Sequence, residues 1–342
     1  MSIFTVVFSY IASIIGAGFA SGQEIVSFFL RYGKMSILGI ALAAFIFGLF
    51  EYCVLDECRE HKITRYDDYA ARVMPKALAG ISKRLTLIFS GVCFCTMAAG
   101  GGAMFSQLFD ISAVWGNILI CALSLVFIIP KNQTALKYNA VFGGVIIAGI
   151  ISCCIYILCF REHQAFLNTT KLAVSSVSYA GYNLITAGLI LVKLSRYIST
   201  RSEAAAAAVF TFLIMLFVMT LMWAILAVYY GKINLGEIPM LTMAKRHNNV
   251  LLAVYSALLL VSLLPTAIAA GVGVTEFIDR KYSVPVLAAC AFAFGSSGFA
   301  NLINTAYRIC GYFGIIFSVY IIAKKLKSGK KKRISENTKE NG

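Results

Sequence analysis

Ile14-Ile15-Gly16-Ala17-Gly18-Phe19-Ala20-Ser21-Gly22-Gln23-Glu24-Ile25 lies in the middle of the first apolar segment, Ser2–Leu30. Read as one α-helix, that segment would be about 43 Å long at 1.5 Å per residue, well beyond a hydrocarbon layer of roughly 30 Å. Three glycines crowd its centre, each costing about 1 kcal/mol relative to alanine inside a helix. The economical reading is a break, and Ser21-Gly22-Gln23-Glu24 fits the S-x-x-E capping box with which a helix restarts. The alternative is an unbroken, tilted helix whose glycines let a neighbour approach closely. Packing alone needs no glutamate, however, and an ionisable residue at membrane depth costs roughly 2.5–3.5 kcal/mol unless it faces a cavity or a partner. Glu24 is then either the capping carboxylate at the positive end of a half-helix or a proton carrier, two roles that do not exclude each other.

Working outward, the chain reads as a membrane protein throughout. Hydrophobic residues make up 60% and charged residues 13%, with a mean hydropathy of +0.82, whereas soluble domains run near 45–50% apolar and about 25% charged. Apolar periodicity places ten spans at Ser2–Leu30, Met35–Cys53, Leu85–Leu108, Ile111–Ile129, Ala140–Phe160, Leu172–Leu194, Ala204–Tyr229, Val250–Phe277, Val284–Phe299 and Leu302–Ala323. The opening residues lack a basic n-region, so the first span is read as mature protein rather than a signal peptide. The ten cysteines are scattered through apolar spans without framework spacing and read as small buried hydrophobes.

A net charge of +15 would suit nucleic acid, but its distribution argues for lipid instead. Lys324, Lys325, Lys327, Lys330, Lys331, Lys332 and Arg333 follow the last span directly, as expected of a cytoplasmic flank beside anionic headgroups. With ten spans both termini share that side. About 22 Lys and Arg then lie inside against about seven outside. The expected location is the bacterial cytoplasmic (inner) membrane, with both termini cytoplasmic and a single transmembrane domain over 1–323, followed by a basic, disordered tail over 324–342. Between spans two and three, Tyr66, Tyr69, Ala70, Val73 and Met74 recur at helical spacing, which predicts a short amphipathic helix. Gly236–His247, with Ile238, Pro239, Leu241 and Met243 among polar residues, predicts either a helical cap over the bundle or an ordinary loop.

The sixth span carries the second polar concentration. Ala173-Val174-Ser175-Ser176-Val177-Ser178-Tyr179-Ala180-Gly181-Tyr182-Asn183-Leu184 gathers serines, tyrosines, an asparagine and a glycine between apolar flanks. That composition suits a helix interrupted around a cavity, or else an interfacial loop with belt tyrosines. Spans one and six each open a group of five, 1–160 and 172–323. An odd number of spans per half inverts one half relative to the other, the pattern of an inverted-repeat carrier. The expected fold is therefore all-α, with about ten transmembrane helices in a 5+5 inverted repeat and helices one and six discontinuous.

The run Gly16-Ala17-Gly18-Phe19-Ala20-Ser21-Gly22-Gln23-Glu24, followed by Phe28-Phe29 and Tyr32-Gly33, resembles the opening signature of the YkvI-like family of proposed amino-acid permeases, in the amino acid–polyamine–organocation superfamily. The resemblance extends over essentially all ten spans and implies the LeuT-type arrangement. It implies that Gly16, Ala17, Gly18, Ser21 and Gly22, with Val177, Ser178, Tyr179, Ala180, Gly181 and Tyr182, surround the solute. Amides near Ser21 and Gly22 would take a carboxylate, and carbonyls near Ala17, Gly18, Val177 and Tyr179 would take an ammonium or cation. It also implies a sodium site between the first break and hydroxyls of span eight, where Ser262 and Thr266 flank Pro265, although the superfamily's sodium carriers have adjacent hydroxyls. Proton-coupled relatives use a lysine in span five, and Ala140–Phe160 has none, leaving Glu24.

These readings converge on a secondary-active carrier of a small, amino-acid-like solute, coupled to H+ or Na+ and using no organic cofactor. The partners are solute and lipid, with no oligomeric state implied. A receptor on the same fold would bind without translocating. An enzyme is not expected, because His61, His163 and His247 lie in separate loops with no nucleophile or metal constellation around them.

Overall fold

The computed structural model describes residues 3–129, 135–158 and 172–340, with the side chains of 135–140, 142 and 328–340 outside that description. Within them the chain forms α1 (Ile3–Ile14), α2 (Ala17–Ala20), α3 (Gln23–Phe28), α4 (Ser36–His61), α5 (Tyr66–Val73), α6 (Lys76–Phe109), α7 (Ala113–Ile128), α8 (Ala135–Leu158), α9 (Leu172–Leu194), α10 (Arg201–Tyr229), α11 (Pro239–His247), α12 (Asn249–Thr275), α13 (Arg280–Gly295), α14 (Phe299–Leu302) and α15 (Arg308–Glu340). Helix is the form that satisfies backbone polar groups within a lipid-embedded segment. Six of these rods are long and apolar enough to cross a membrane, and Ile3–Ile14, Ala113–Ile128 and Gly143–Leu158 are shorter apolar helices. Phe45, Trp115, Phe127, Phe217 and Phe292 stand exposed on the outer surface, where acyl chains rather than water would cover them. The end of the fifth span at Phe160, His163 and the Lys330–Arg333 side chains lie outside the described residues.

Counting α1–α3 as helix one and α14–α15 as helix ten, the packing maps onto itself when helix n is exchanged for n+5. α1 packs on α8 as α9 packs on α15, α4 packs on α9 as α10 packs on α1, and α4–α10 and α6–α12 are self-related pairs. That is the contact pattern of a 5+5 inverted repeat. α9 and α15 approach closely: a Cβ on Gly181 would strike Gly311 O and Ile315 N, and one on Gly311 would strike Ser178 O.

Three expectations need correction. Helix one is broken, but α9 is a continuous α-helix through Ser175–Asn183. Its serine and asparagine side chains find partners without opening the ladder: Ser176 Oγ donates to Leu172 O at 3.0 Å, Asn183 Nδ2 to Tyr179 O at 3.0 Å, Ser175 Oγ to Phe28 O at 2.7 Å and Ser178 Oγ to Arg308 O at 3.1 Å. The Ser21/Glu24 capping box does not form either, as described below. Finally, the segment read as a disordered tail continues α15 as helix to Glu340. Its first turn is tied down: Lys325 Nζ lies 2.9 Å from Asp56 Oδ2, 2.9 Å from Glu57 Oε2 and 3.3 Å from Glu60 Oε2. Lys324 Nζ donates to Arg72 O and Val73 O at 2.8 Å.

The predicted amphipathic helix is α5, which buries Tyr69, Ala70 and Val73 against the bundle. It lies on the same side as the basic segment of α15, termed the tail side below. The predicted cap is α11, on the far side. Proline begins it, and Met240, Leu241, Met243 and Ala244 are buried.

Candidate functional site

The break in helix one begins where Gly16 turns extended (φ −86°, ψ −172°) and ends where Gly22 takes φ 81°. The second conformation is readily open to glycine and strained for other residues. A Cβ on Gly22 would also lie 2.9 Å from Met240 Cγ, so this glycine meets both a backbone and a packing demand. Between the two glycines α2 makes a single turn. Ser21 does not cap α3 in the expected way: its Oγ donates to Gly18 O at 2.7 Å and accepts from Gln23 N at 3.1 Å.

The interruption redistributes backbone groups differently from the sequence expectation. Ser21 N and Gly22 N are spent on Ala17 O and Phe19 O, at 2.8 and 2.9 Å. Gly18 O is taken by Ser21 Oγ. Within the break, the amides without a backbone acceptor are those of Ala17, Gly18 and Phe19 at the head of α2 and of Gln23, Glu24 and Ile25 at the head of α3, Gln23 N being held by Ser21 Oγ. Upstream, Gly16 N turns to Ile14 O at 3.0 Å, which leaves the carbonyls of Ala12, Ser13 and Ile15 without their i+4 amides. Two neighbours take up other freed carbonyls. Tyr255 OH of α12 donates to Ala20 O at 2.5 Å, and Met240 N of α11 donates to Ser21 O at 3.0 Å. The cap therefore sits directly on the break from the far side. Glu237 Oε2 accepts from Phe299 N at 2.8 Å and joins it to helix ten.

Freed from capping, Glu24 is buried and turned inward, so that a Cβ on Gly18 would collide with its carboxyl group. The hydroxyls of Tyr179 and Tyr182 face the same carboxyl. Glu24 Oε2 and both hydroxyls lack a regularly formed hydrogen bond, and no salt bridge reaches Glu24 among the described residues. Aromatic rings wall the site: Tyr179 and Tyr182 each stand 5.5 Å from Phe28, Tyr182 lies 4.8 Å from Tyr307, and Phe89 is 5.7 Å from Tyr182. Arg308 covers the Phe28 ring at 5.3 Å and donates to Ser27 O at 2.9 Å.

The predicted residues divide by helical face. Ser175, Tyr179 and Tyr182, at i, i+4 and i+7, turn toward helix one, and of these the sequence reading had singled out the two tyrosines. Ser178 and Gly181 turn to α15. Ala180 is buried and Val177 half-buried in the same helix. Phe89, Tyr255 and Tyr307 were not anticipated, because nothing in a local pattern distinguishes a ring facing the site from one facing a neighbouring helix. On α12, Thr266 packs against Gly16, where a Cβ would come within 3.1 Å of Thr266 Cγ2. The Ser262 hydroxyl is buried without a partner, and Pro265, lacking an N–H, leaves the Val261 carbonyl without its helical donor.

No family model matches the chain. Two Bacillus subtilis proteins are similar along nearly their full length. The uncharacterized protein YyaD is 25% identical over 320 residues, covering 91% of this chain and 94% of the relative. The uncharacterized membrane protein YkvI is 24% identical over 336 residues, covering 93% and 94%. Among solved structures, a Na+-coupled sialic acid symporter in a substrate-bound outward-open state aligns with TM-score 0.58 at 12% identity, over 95% of this chain and 78% of that one. A manganese transporter of Eremococcus coleocola aligns with TM-score 0.62 at 14% identity, over 94% and 78%. At such identities the likeness concerns the fold, which is that of a multi-pass helical membrane protein.

Proposed function

We propose that the chain is a secondary-active membrane transporter for a small amino-acid-like solute, with Glu24 as its proton carrier. The observation that carries this reading is the buried Glu24 carboxyl, which no salt bridge reaches among the described residues, set at a break in helix one and faced by two tyrosine hydroxyls from helix six. A carboxyl group buried at membrane depth without a cation partner is costly and marks an ion or substrate pathway. Solute would bind where backbone is unpaired: the Ala17–Phe19 amides take a carboxylate, and the Ala12, Ser13 and Ile15 carbonyls take an ammonium. The fold shared with two transporters supports the same reading.

Protonation and deprotonation of Glu24 would alter its contacts with Tyr179 and Tyr182 and so bias helix one against helix six. The far side is covered by α11. On the tail side a cavity of about 220 Å³ opens among Cys53, Glu57, Tyr69, Arg72, Lys324 and Lys325. The basic residues there make the tail side cytoplasmic in this proposal, with both termini on the cytoplasmic side of the bacterial inner membrane.

Sodium coupling is the second reading, favoured by the unpartnered, buried Ser262 hydroxyl on α12, one turn from Thr266, which packs against Gly16 and whose Oγ1 donates to Ser262 O at 2.8 Å. Purified protein in liposomes separates the two. A pH gradient should drive uptake from an amino-acid panel, and Glu24→Gln should abolish the pH dependence. Uptake that follows an imposed sodium gradient and survives Glu24→Gln would transfer the coupling role to α12. Ligand binding without uptake under either gradient would make the protein a receptor.

A further inference from the structure

A second carboxylate lies at membrane depth, outside the site just described. Glu51 sits in α4 immediately after the apolar run Ile37–Phe50, some 15 residues and about 22 Å along the helix from its far-side start. It is fully buried, and both carboxylate oxygens lack a hydrogen-bond partner. The Thr211 side chain of α10 faces it, also fully buried, with a hydroxyl that is likewise unpartnered. From α1 the Tyr10 ring approaches, its hydroxyl donating to Phe47 O at 3.2 Å.

Close packing shuts this pocket. A Cβ on Gly48 would come within 2.7 Å of Ala208 O, so α4 and α10 meet backbone to backbone one turn away. No Lys, Arg or His pairs with Glu51 among the described residues. The next acids along α4, Asp56 and Glu57, are already engaged by Arg59, Arg72 and Lys325, and none of the ion pairs among the described residues links Glu51 to α9 or α15.

Two kinds of cation would satisfy such oxygens. A sodium ion needs five or six oxygen ligands, and hard cations are served by several carbonyls or carboxylates at once. Here α4 and α10 are both regular helices whose carbonyls are occupied in their own ladders, which leaves two carboxylate oxygens and one or two hydroxyls. A proton needs only one oxygen, and the resulting O–H can donate to Thr211 Oγ1, which gives that hydroxyl and one of the two carboxyl oxygens a partner.

We propose that Glu51 and Thr211 form a second proton-binding site, built into the contact between helices two and seven and separate from Glu24. A chain of contacts through Tyr10, Phe47 and Tyr179 links the two carboxyls, with the Phe47 and Tyr179 rings 5.9 Å apart. The tail-side cavity reaches Cys53, two residues from Glu51 and about 3 Å along the helix axis. Because helices two and seven are symmetry-related partners, a proton held between them acts on the contact between the two repeats.

The test reads protonation directly and does not depend on identifying a solute. Infrared difference spectra of the purified protein in nanodiscs, in H2O and D2O, should show a protonated-carboxyl C=O band that Glu51→Gln removes and Glu24→Gln leaves in place. Thr211→Val, which keeps both carboxyls, should shift that band by removing its hydrogen bond. The proposal fails if Glu51→Gln leaves every protonated-carboxyl band intact, if Thr211→Val shifts none of them, or if replacing potassium by sodium abolishes the Glu51 band. The last result would make the pocket a sodium site.

Discussion

Helices one and six carry the same kind of signal, small and polar residues concentrated at membrane depth, yet only helix one is interrupted. In helix one the glycines stand at positions 16, 18 and 22, one of them at φ 81°, and the backbone is released to neighbours: Ala20 O to Tyr255, Ser21 O to Met240. In helix six the short side chains reach back four residues or across to an adjacent helix, and the ladder stays closed. Its one glycine in the stretch serves contact with α15. Polar composition at membrane depth therefore marks a helix facing the site, whereas a break also needs a residue that can leave right-handed helical space.

The largest effect expected from this contrast is at Glu24. Glu24→Gln keeps the size of the side chain but removes its titration, so proton-driven uptake in liposomes should fall at least about tenfold, equivalent to about 1.4 kcal/mol. Equal uptake at all pH values in wild type and variant would leave the break without its proposed proton carrier. Next is Gly181→Val, which forces α9 and α15 apart at Gly311. Thermal unfolding in detergent should show a loss of about 1–3 kcal/mol from overpacking, with the pH dependence of residual uptake retained. A variant that kept its stability but changed its pH profile would move Gly181 from packing into the site.

Gly22→Ala should cost about 1–2 kcal/mol, because an L-residue pays for left-handed backbone and its methyl also meets Met240. If the melting temperature instead rose, the positive φ at the end of the break would be wrong. The smallest effect is expected for Ser176→Ala, which deletes one hydrogen bond to Leu172 O in a ladder that is otherwise intact. A loss below about 1 kcal/mol follows, and a collapse of activity would show that α9 opens during transport.

Much of the fold was legible in one dimension. The sixth span, Leu172–Leu194, coincides with α9, and the amphipathic spacing from Tyr66 is α5. The third helix starts nine residues before its expected span because Lys76, Lys83 and Arg84 ride on a helical extension beyond the apolar stretch. The capping box expected at Ser21 is absent, while an unremarked one forms at Thr200 and Glu203. Near Ser21 the hydroxyl found a carbonyl closer to hand, Gly18 O, and the carboxyl turned inward. Within the site, Glu24, Tyr179 and Tyr182 stood out as polar groups in apolar runs, whereas Phe89, Tyr255 and Tyr307 looked like any other buried ring.

By itself the sequence determined that this chain belongs in lipid and roughly where its spans run, and it favoured a break in helix one over a tilted, unbroken helix. Those properties follow from local apolar length and from the intrinsic cost of glycine in a helix. Tertiary structure alone decided that helix six stays whole, that Glu24 meets two tyrosines instead of a backbone amide, and that Glu51 faces Thr211. Each depends on which partner a polar group finds across a helix interface, and that choice is made by packing between segments far apart in the chain.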